Sequence, residues 1–223
     1  MNASALPFYD LLTREERRTL NENLNEVSYV GGSMVHANGE ALLGMLYVKE
    51  GRLSLSLLSE EGHEITLLRL RKGDACFLTA TNVIPGIAFD VSIEAEQATA
   101  LYTLSESMLS SMMKRNRAFA EYVHRSITEN FSHTVTVLQR ILFSSLDQRL
   151  ASFLYEEIRE TGSLNLSITH ERIARHIGSA REVVSRTLKK LSKEGIVQLS
   201  RGQIRITDQS KLRKLLENPP ITD

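Results

Sequence analysis

Ahead of residue 105 the apolar positions fall in short runs, alternating or unbroken: Leu46–Lys49, Leu53–Leu58, Ile65–Leu70 and Ala88–Ile93. Glycine stands between them, at Gly31, Gly32, Gly39, Gly44, Gly51, Gly62, Gly73 and Gly86. Short runs with a turn signal roughly every 8–12 residues predict an antiparallel sandwich or small barrel. Glu50-Gly51 and Glu61-Gly62 read as hairpin turns. Thr13-Arg14-Glu15-Glu16 fits a capping box and predicts a short helix ahead of the strands.

From Ser105 to about Phe143 there is no glycine or proline, and the apolar period becomes helical. Two apolar stripes run along residues 123–142. Val123, Ile127, Asn130, Thr134, Val137 and Ile141 repeat at heptad a/d spacing, with the polar Asn130 in the seam. Phe131, Val135, Leu138 and Leu142 form the second. Two stripes have two surfaces to cover. The first is expected to face an identical helix, since one buried Asn can set register, and the second to face the β domain. The alternative is a single wide core-facing stripe in a monomer. Beyond it, Asp147 is a candidate N-cap for a helix running to about Glu160 and ended by Gly162, followed by a short polar stretch, Ser163–Ser167.

Residues 169–191 carry the most specific pattern. Thr169 is an N-cap candidate, Ile173 and Ile177 share a face, and Ala174 is small where a second helix must pass close. Gly178 sits at the turn, and Ser179 is placed to cap a second helix whose inner face is Val184, Leu188 and Leu191. This is the layout of a helix-turn-helix. Residues 197–206 alternate around Arg201-Gly202 and predict a β-hairpin wing.

Charge sharpens the picture. The chain has 223 residues and is neutral overall, but residues 1–144 hold 13 basic and 17 acidic side chains, and residues 145–223 hold 14 and 10. Within 169–205 the balance is 9 against 3. A basic module behind an acidic one has the form of a tethered nucleic-acid binder. Hydrophobic content of 42% and charged content of 24% exclude a disordered chain. No run is long enough for a transmembrane helix, and the first residues lack a basic n-region and apolar core, so a cytoplasmic protein without membrane attachment is expected. The single cysteine, Cys76, excludes an internal disulfide, a protein-held iron–sulfur cluster and a Cys-rich zinc site.

The outer face of the second helix carries Arg181, Glu182, Ser185, Arg186 and Lys189. An arginine fork matches guanine O6 and N7, a glutamate accepts from cytosine N4, and a serine hydroxyl serves either role. Thr169, Ser179, Lys189 and Arg201 are candidates for holding phosphates. Glu182 has a competing local role, because Ser179-Ala180-Arg181-Glu182 also fits a capping box.

Glycine-punctuated strands, a long helix, and a winged helix-turn-helix containing Arg181-Glu182-Val183-Val184-Ser185-Arg186 together resemble the Crp/Fnr family of bacterial transcription regulators over nearly the whole chain. The resemblance implies an α+β protein: an N-terminal antiparallel, jelly-roll-like β-roll that senses an effector (1–116), a dimerisation helix (117–143) and a C-terminal winged helix-turn-helix domain (147–223). It implies a homodimer on an inverted-repeat operator in double-stranded DNA, working with RNA polymerase as an activator. In the family, residues matching Arg181, Glu182 and Arg186 read a TGA-containing half-site. The spacing of Glu182, Ser185 and Arg186 is similar to the Fnr-like branch and Arg181 to the catabolite-activator branch, which leaves the outer bases open.

The resemblance also bears on the effector. Phe77 and Leu78 stand where the catabolite-activator branch has a Gly-Glu pair, and Phe89 and Asp90 where it has an Arg-Ser pair for the cyclic AMP phosphate. An aspartate repels a phosphate and no arginine is left to pair it, so cyclic AMP is not the expected effector. Two signals remain. One is an apolar small-molecule cavity lined by Phe77, Leu78, Val83 and Phe89 with Val123 and Ile127, against the alternative of a filled core. The other is haem or redox sensing through Cys76 with a histidine (His36, His63, His124 or His133), against the alternative of a small buried hydrophobe.

Two other function classes make different demands on the sequence. No phosphate loop, nucleophile elbow, His-Glu-x-x-His or paired carboxylates point to a catalytic residue, and no enzyme is expected. His170 and His176 lie six residues apart, about 600° of helix rotation, so they share no metal-binding face. A cyclic-nucleotide-binding-like module acting on a protein partner would leave the arginines of the second helix with nothing to read.

Overall fold

The computed structural model describes residues 3–36, 43–58, 64–77 and 91–217. The capping box at Thr13 forms in both directions: Glu16 N donates to Thr13 Oγ1 and Thr13 N to the Glu16 carboxylate. It starts α1 (Arg14–Asn23). The strands that follow are β1 (Asn25–Tyr29), β2 (Met34–His36), β3 (Leu43–Glu50), β4 (Arg52–Leu58), β5 (Glu64–Arg71), β6 (Ala75–Phe77), β7 (Val91–Ala95) and β8 (Thr99–Ser105). They form two four-stranded sheets, ordered β1-β8-β3-β6 and β2-β7-β4-β5. Consecutive strands alternate between the sheets from β1 to β4, as in a β-roll.

Glu50-Gly51 is therefore not a hairpin turn. β3 and β4 lie in different sheets, and Gly51 carries the chain from one to the other at φ 91°. A Cβ there would lie 2.4 Å from the Ala98 carbonyl oxygen. Gly51→Ala should lower the stability of the β-roll by more than the roughly 1–3 kcal/mol that a strained backbone alone costs. Gly73→Ala, at φ 97° with nothing within 4 Å, should cost only the strain, and urea unfolding separates the two. β4 and β5 do pair, but Glu61-Gly62 lies outside the described residues.

One face of the first sheet builds the N-terminal core. Register places Met45 opposite Phe77 and Leu104, and Tyr47 opposite Tyr102. These side chains meet Leu6, Phe8 and Leu12 of the N-terminal segment, Leu20 of α1, and two further helices, α2 (Glu106–Arg115) and α3 (Arg117–Phe143). Phe8 packs on Phe119 with ring centroids 4.9 Å apart. The helical run from Ser105 is broken at Asn116, whose side-chain oxygen accepts from Phe119 N and whose amide donates to the Leu11 carbonyl and Glu16. Asn116 thus starts α3, as an N-cap does.

The chain divides into two compact units inside α3, between Thr134 and Val135, rather than at the ends of that helix. Its first half belongs to the β-roll because Phe119 and Val123 are fully buried there and Ile127 packs against the same core. The chain itself covers the first stripe and leaves the second open. Val123, Ile127, Asn130, Thr134, Val137 and Ile141 turn inward, buried or half-buried. Phe131, Val135, Leu138 and Leu142 stand exposed, at 65%, 36%, 43% and 72%. Periodicity identified both stripes but not which one the chain itself would cover.

The second unit continues with α4 (Leu146–Thr161), β9 (Asn165–Leu166), α5 (His170–Ile177), α6 (Arg181–Lys193), β10 (Val197–Ser200), β11 (Gln203–Ile206) and α7 (Gln209–Glu217). The N-cap of α4 is Ser145, in a capping box with Gln148, and not Asp147, whose carboxylate pairs with Lys190 at 2.6 Å. Gly162 ends the helix at φ 65°. Ile173, Ala174 and Ile177 of α5 and Val184, Leu188 and Leu191 of α6 share one core with α4, the three-stranded β10-β11-β9 sheet and Leu212 of α7. Among the described residues no helix is long and apolar enough to cross a membrane.

Candidate nucleic-acid interface

Thr169 caps α5, its hydroxyl accepting from Arg172 N at 3.2 Å. Gly178 ends α5 in the left-handed region, φ 61° and ψ 57°, where a side chain would be strained. A Cβ at Gly178 would also press on Ile141 of α3 at 3.2 Å. Ser179 does not cap α6. The N-cap is Ala180, without a side-chain hydrogen bond, so the capping box read for Glu182 does not form. Its carboxylate stands exposed on the first turn.

Val184, Thr187, Leu188 and Leu191 fix the buried side of α6, which leaves Arg181, Glu182, Arg186 and Lys189 exposed and Ser185 half-buried. Lys190 is held by Asp147. Among the described residues, Arg181, Arg186, Lys189 and Arg201 have no hydrogen-bond or ion-pair partner. Arg181 opens α6, where the helix dipole disfavours a cation. Arg201 and Gly202 make the wing turn, Gly202 at φ 72°. A groove lies between this turn and the helix pair, lined by Thr169, His170, Arg181, Arg201 and Gly202. Burial first, then the Arg181 and Lys189 charges, hold the His170 imidazole below its ordinary range.

Sequence reasoning missed Arg149 of α4. Its guanidinium donates to the Ile177 and Gly178 carbonyls at 2.6 and 3.1 Å, tying α4 to the turn that aims α6. No local pattern announces such a contact. Arg149→Met should lose two charge-assisted bonds, each worth about 1.5–3 kcal/mol. Hydrogen exchange at the Gly178 and Ser179 amides should quicken while the β-roll is unchanged.

The effector-pocket candidates divide. Phe77 and Val123 are buried in one core, with Tyr122 edge-on to Phe77, and Ile127 lies at its margin. Leu78, Val83 and Phe89, like Asp90 and His63, lie outside the described residues. Cys76 is buried, and burial pushes its thiol up to about 12. A thiol kept neutral at pH 7 is a poor nucleophile.

A Crp-like helix-turn-helix domain matches residues 148–215. The crystal structure of a Crp/Fnr-family transcriptional regulator from Eubacterium rectale is 37% identical, covers 96% of this chain and 100% of its own, and superposes with a TM-score of 0.90. The chain belongs to the Crp/Fnr family. Among curated Crp/Fnr-type relatives, the transcriptional regulator SdrP of Thermus thermophilus is 26% identical over 77% of this chain and 83% of that protein. The lactate racemization regulatory protein of Lactiplantibacillus plantarum is 24% identical over 77% and 81%. This Crp/Fnr protein is accordingly a DNA-binding transcription regulator with a β-roll ahead of its helix-turn-helix. The family is one of regulators rather than enzymes.

Proposed function

We propose that the protein acts in the cytoplasm as a homodimer, without enzymatic activity, and that each α6 reads half of an inverted repeat. Arg181, Glu182, Ser185 and Arg186 face base edges, while Thr169, Ser179, Lys189 and Arg201 hold the backbone. The observation that carries this reading is the unpartnered set Arg181, Arg186, Lys189 and Arg201 around one groove and one helix face. Cations left without carboxylates in a basic domain are complementary to phosphate and guanine. The dimer seam in this reading is Phe131, Val135, Leu138 and Leu142, spaced by four, three and four residues and exposed within one chain.

The signal is a small molecule other than cyclic AMP acting on the β-roll; the state of Cys76 speaks against thiol-based redox sensing. RNA polymerase is the partner through which DNA binding becomes activation. A gel shift across a salt series tests the core of the reading. Binding to an inverted repeat should weaken steeply with salt and exceed binding to a scrambled duplex. Equal, weak binding to both would overturn it.

A further inference from the structure

We propose that His170 is a phosphate contact of the interface and takes up a proton as the duplex closes over the wing groove. The inference rests on the DNA-reading role of α6 given above. His170 is the first residue of α5, half-buried, on the wall of the groove between the helix pair and the wing turn. From α6 it feels Arg181 and Lys189, across the groove stands Arg201, and on its own helix Glu171 follows it. Two arginines line the groove against one exposed carboxylate, and Lys189 adds its charge at His170, which makes the groove a site for an anion.

An imidazole is the side chain whose charge changes near neutral pH. In the free protein, burial and the neighbouring cations favour the neutral imidazole. A phosphate entering the groove offsets the cations that oppose the imidazolium and accepts its N–H. Both effects favour the charged form. Affinity therefore rises as pH falls through the pKa of the complex and levels off below that of the free protein.

The experiment measures binding of the full-length protein to a mixed-sequence duplex and to an inverted repeat, by fluorescence anisotropy from pH 5.5 to 8.5. Wild type is compared with His170→Gln and His170→Arg. Proton uptake by both protomers should make the wild-type dimer bind on the order of a hundredfold more tightly at the acid end. Its salt slope should steepen there by about 1.8, the mark of two further neutralised phosphates. His170→Gln should lose most of the acid gain and show a nearly flat pH profile. His170→Arg should bind tightly at every pH. A His170→Gln profile that overlays the wild-type one overturns this inference alone. Failure of all three proteins to bind DNA at any pH overturns the DNA-reading role and this inference with it.

Discussion

Leu138→Asp is expected to turn the protein into a monomer that still folds. Phe131, Val135, Leu138 and Leu142 line one exposed face of α3 at heptad spacing. A second copy of the same stripe is the self-complementary cover for it, as a two-fold axis requires. Each such side chain contributes about 1.5–3 kcal/mol when fully buried. Replacing Leu138 in both protomers removes that contribution twice and places two carboxylates in an apolar seam. Leu138 is already more than half covered within one chain, so the remaining burial alone should raise the dimer dissociation constant by about tenfold or more, and the paired carboxylates raise it further. Sedimentation reads the mass, and circular dichroism reads whether the monomer keeps its helix content. Ile127→Asp provides the contrast. Ile127 packs against the β-roll core beside the fully buried Val123, so its replacement should destabilise that core. If Ile127→Asp gives a stable monomer and Leu138→Asp a dimer, the two stripes have been assigned the wrong way round.

The second large effect is expected at Arg186. It stands mid-helix on the exposed face of α6, with Val184 and Leu188 anchoring the opposite side. A guanidinium there reaches guanine O6 and N7 together. Arg186→Ala should cost about 1–3 kcal/mol per half-site, hence roughly 30- to 20,000-fold over a two-fold operator, and relax specificity at one base pair in each half. Lys189→Ala should weaken all sequences alike and lower the salt slope by about one per protomer. Affinities over a panel of single-base operator variants distinguish them. A uniform loss for Arg186→Ala would mean that it holds backbone and another residue reads the base.

The helix-turn-helix was legible because each of its signals is local. Thr169 caps, Gly178 takes a positive φ, and Val184, Leu188 and Leu191 repeat on one face. The wing was legible for the same reason, since alternation around Arg201-Gly202 specifies a hairpin by itself. Misreadings arose where two residues compete for one job. Ser145 and Asp147 are both good caps, and Gln148, three residues after Ser145, decides between them. Ser179 loses the cap of α6 to Ala180, whose backbone already has the extended geometry the position needs. The assignment of the α3 stripes depended on tertiary partners that periodicity does not contain. Arg149 depended on a contact with a turn 28 residues away. α7 went unread, although Asp208 accepts from Lys211 N ahead of the buried Leu212 and is a visible cap.

The N-terminal segment has a consequence for how the chain is made. Leu6, Phe8 and Leu12 are among its most deeply buried side chains, and their cover includes Phe119 and Val123. The bond that closes this region, Asn116 to the Leu11 carbonyl, spans 105 residues. At about 5–20 residues per second, those first apolar side chains emerge from the ribosome roughly 5–20 s before α3 exists to cover them. During that interval the β-roll cannot complete its core, and residues 6–12 of the nascent chain stay uncovered. A ribosome-associated chaperone should therefore crosslink to residues 6–12 on stalled chains that end before α3, and release them once α3 has cleared the exit tunnel.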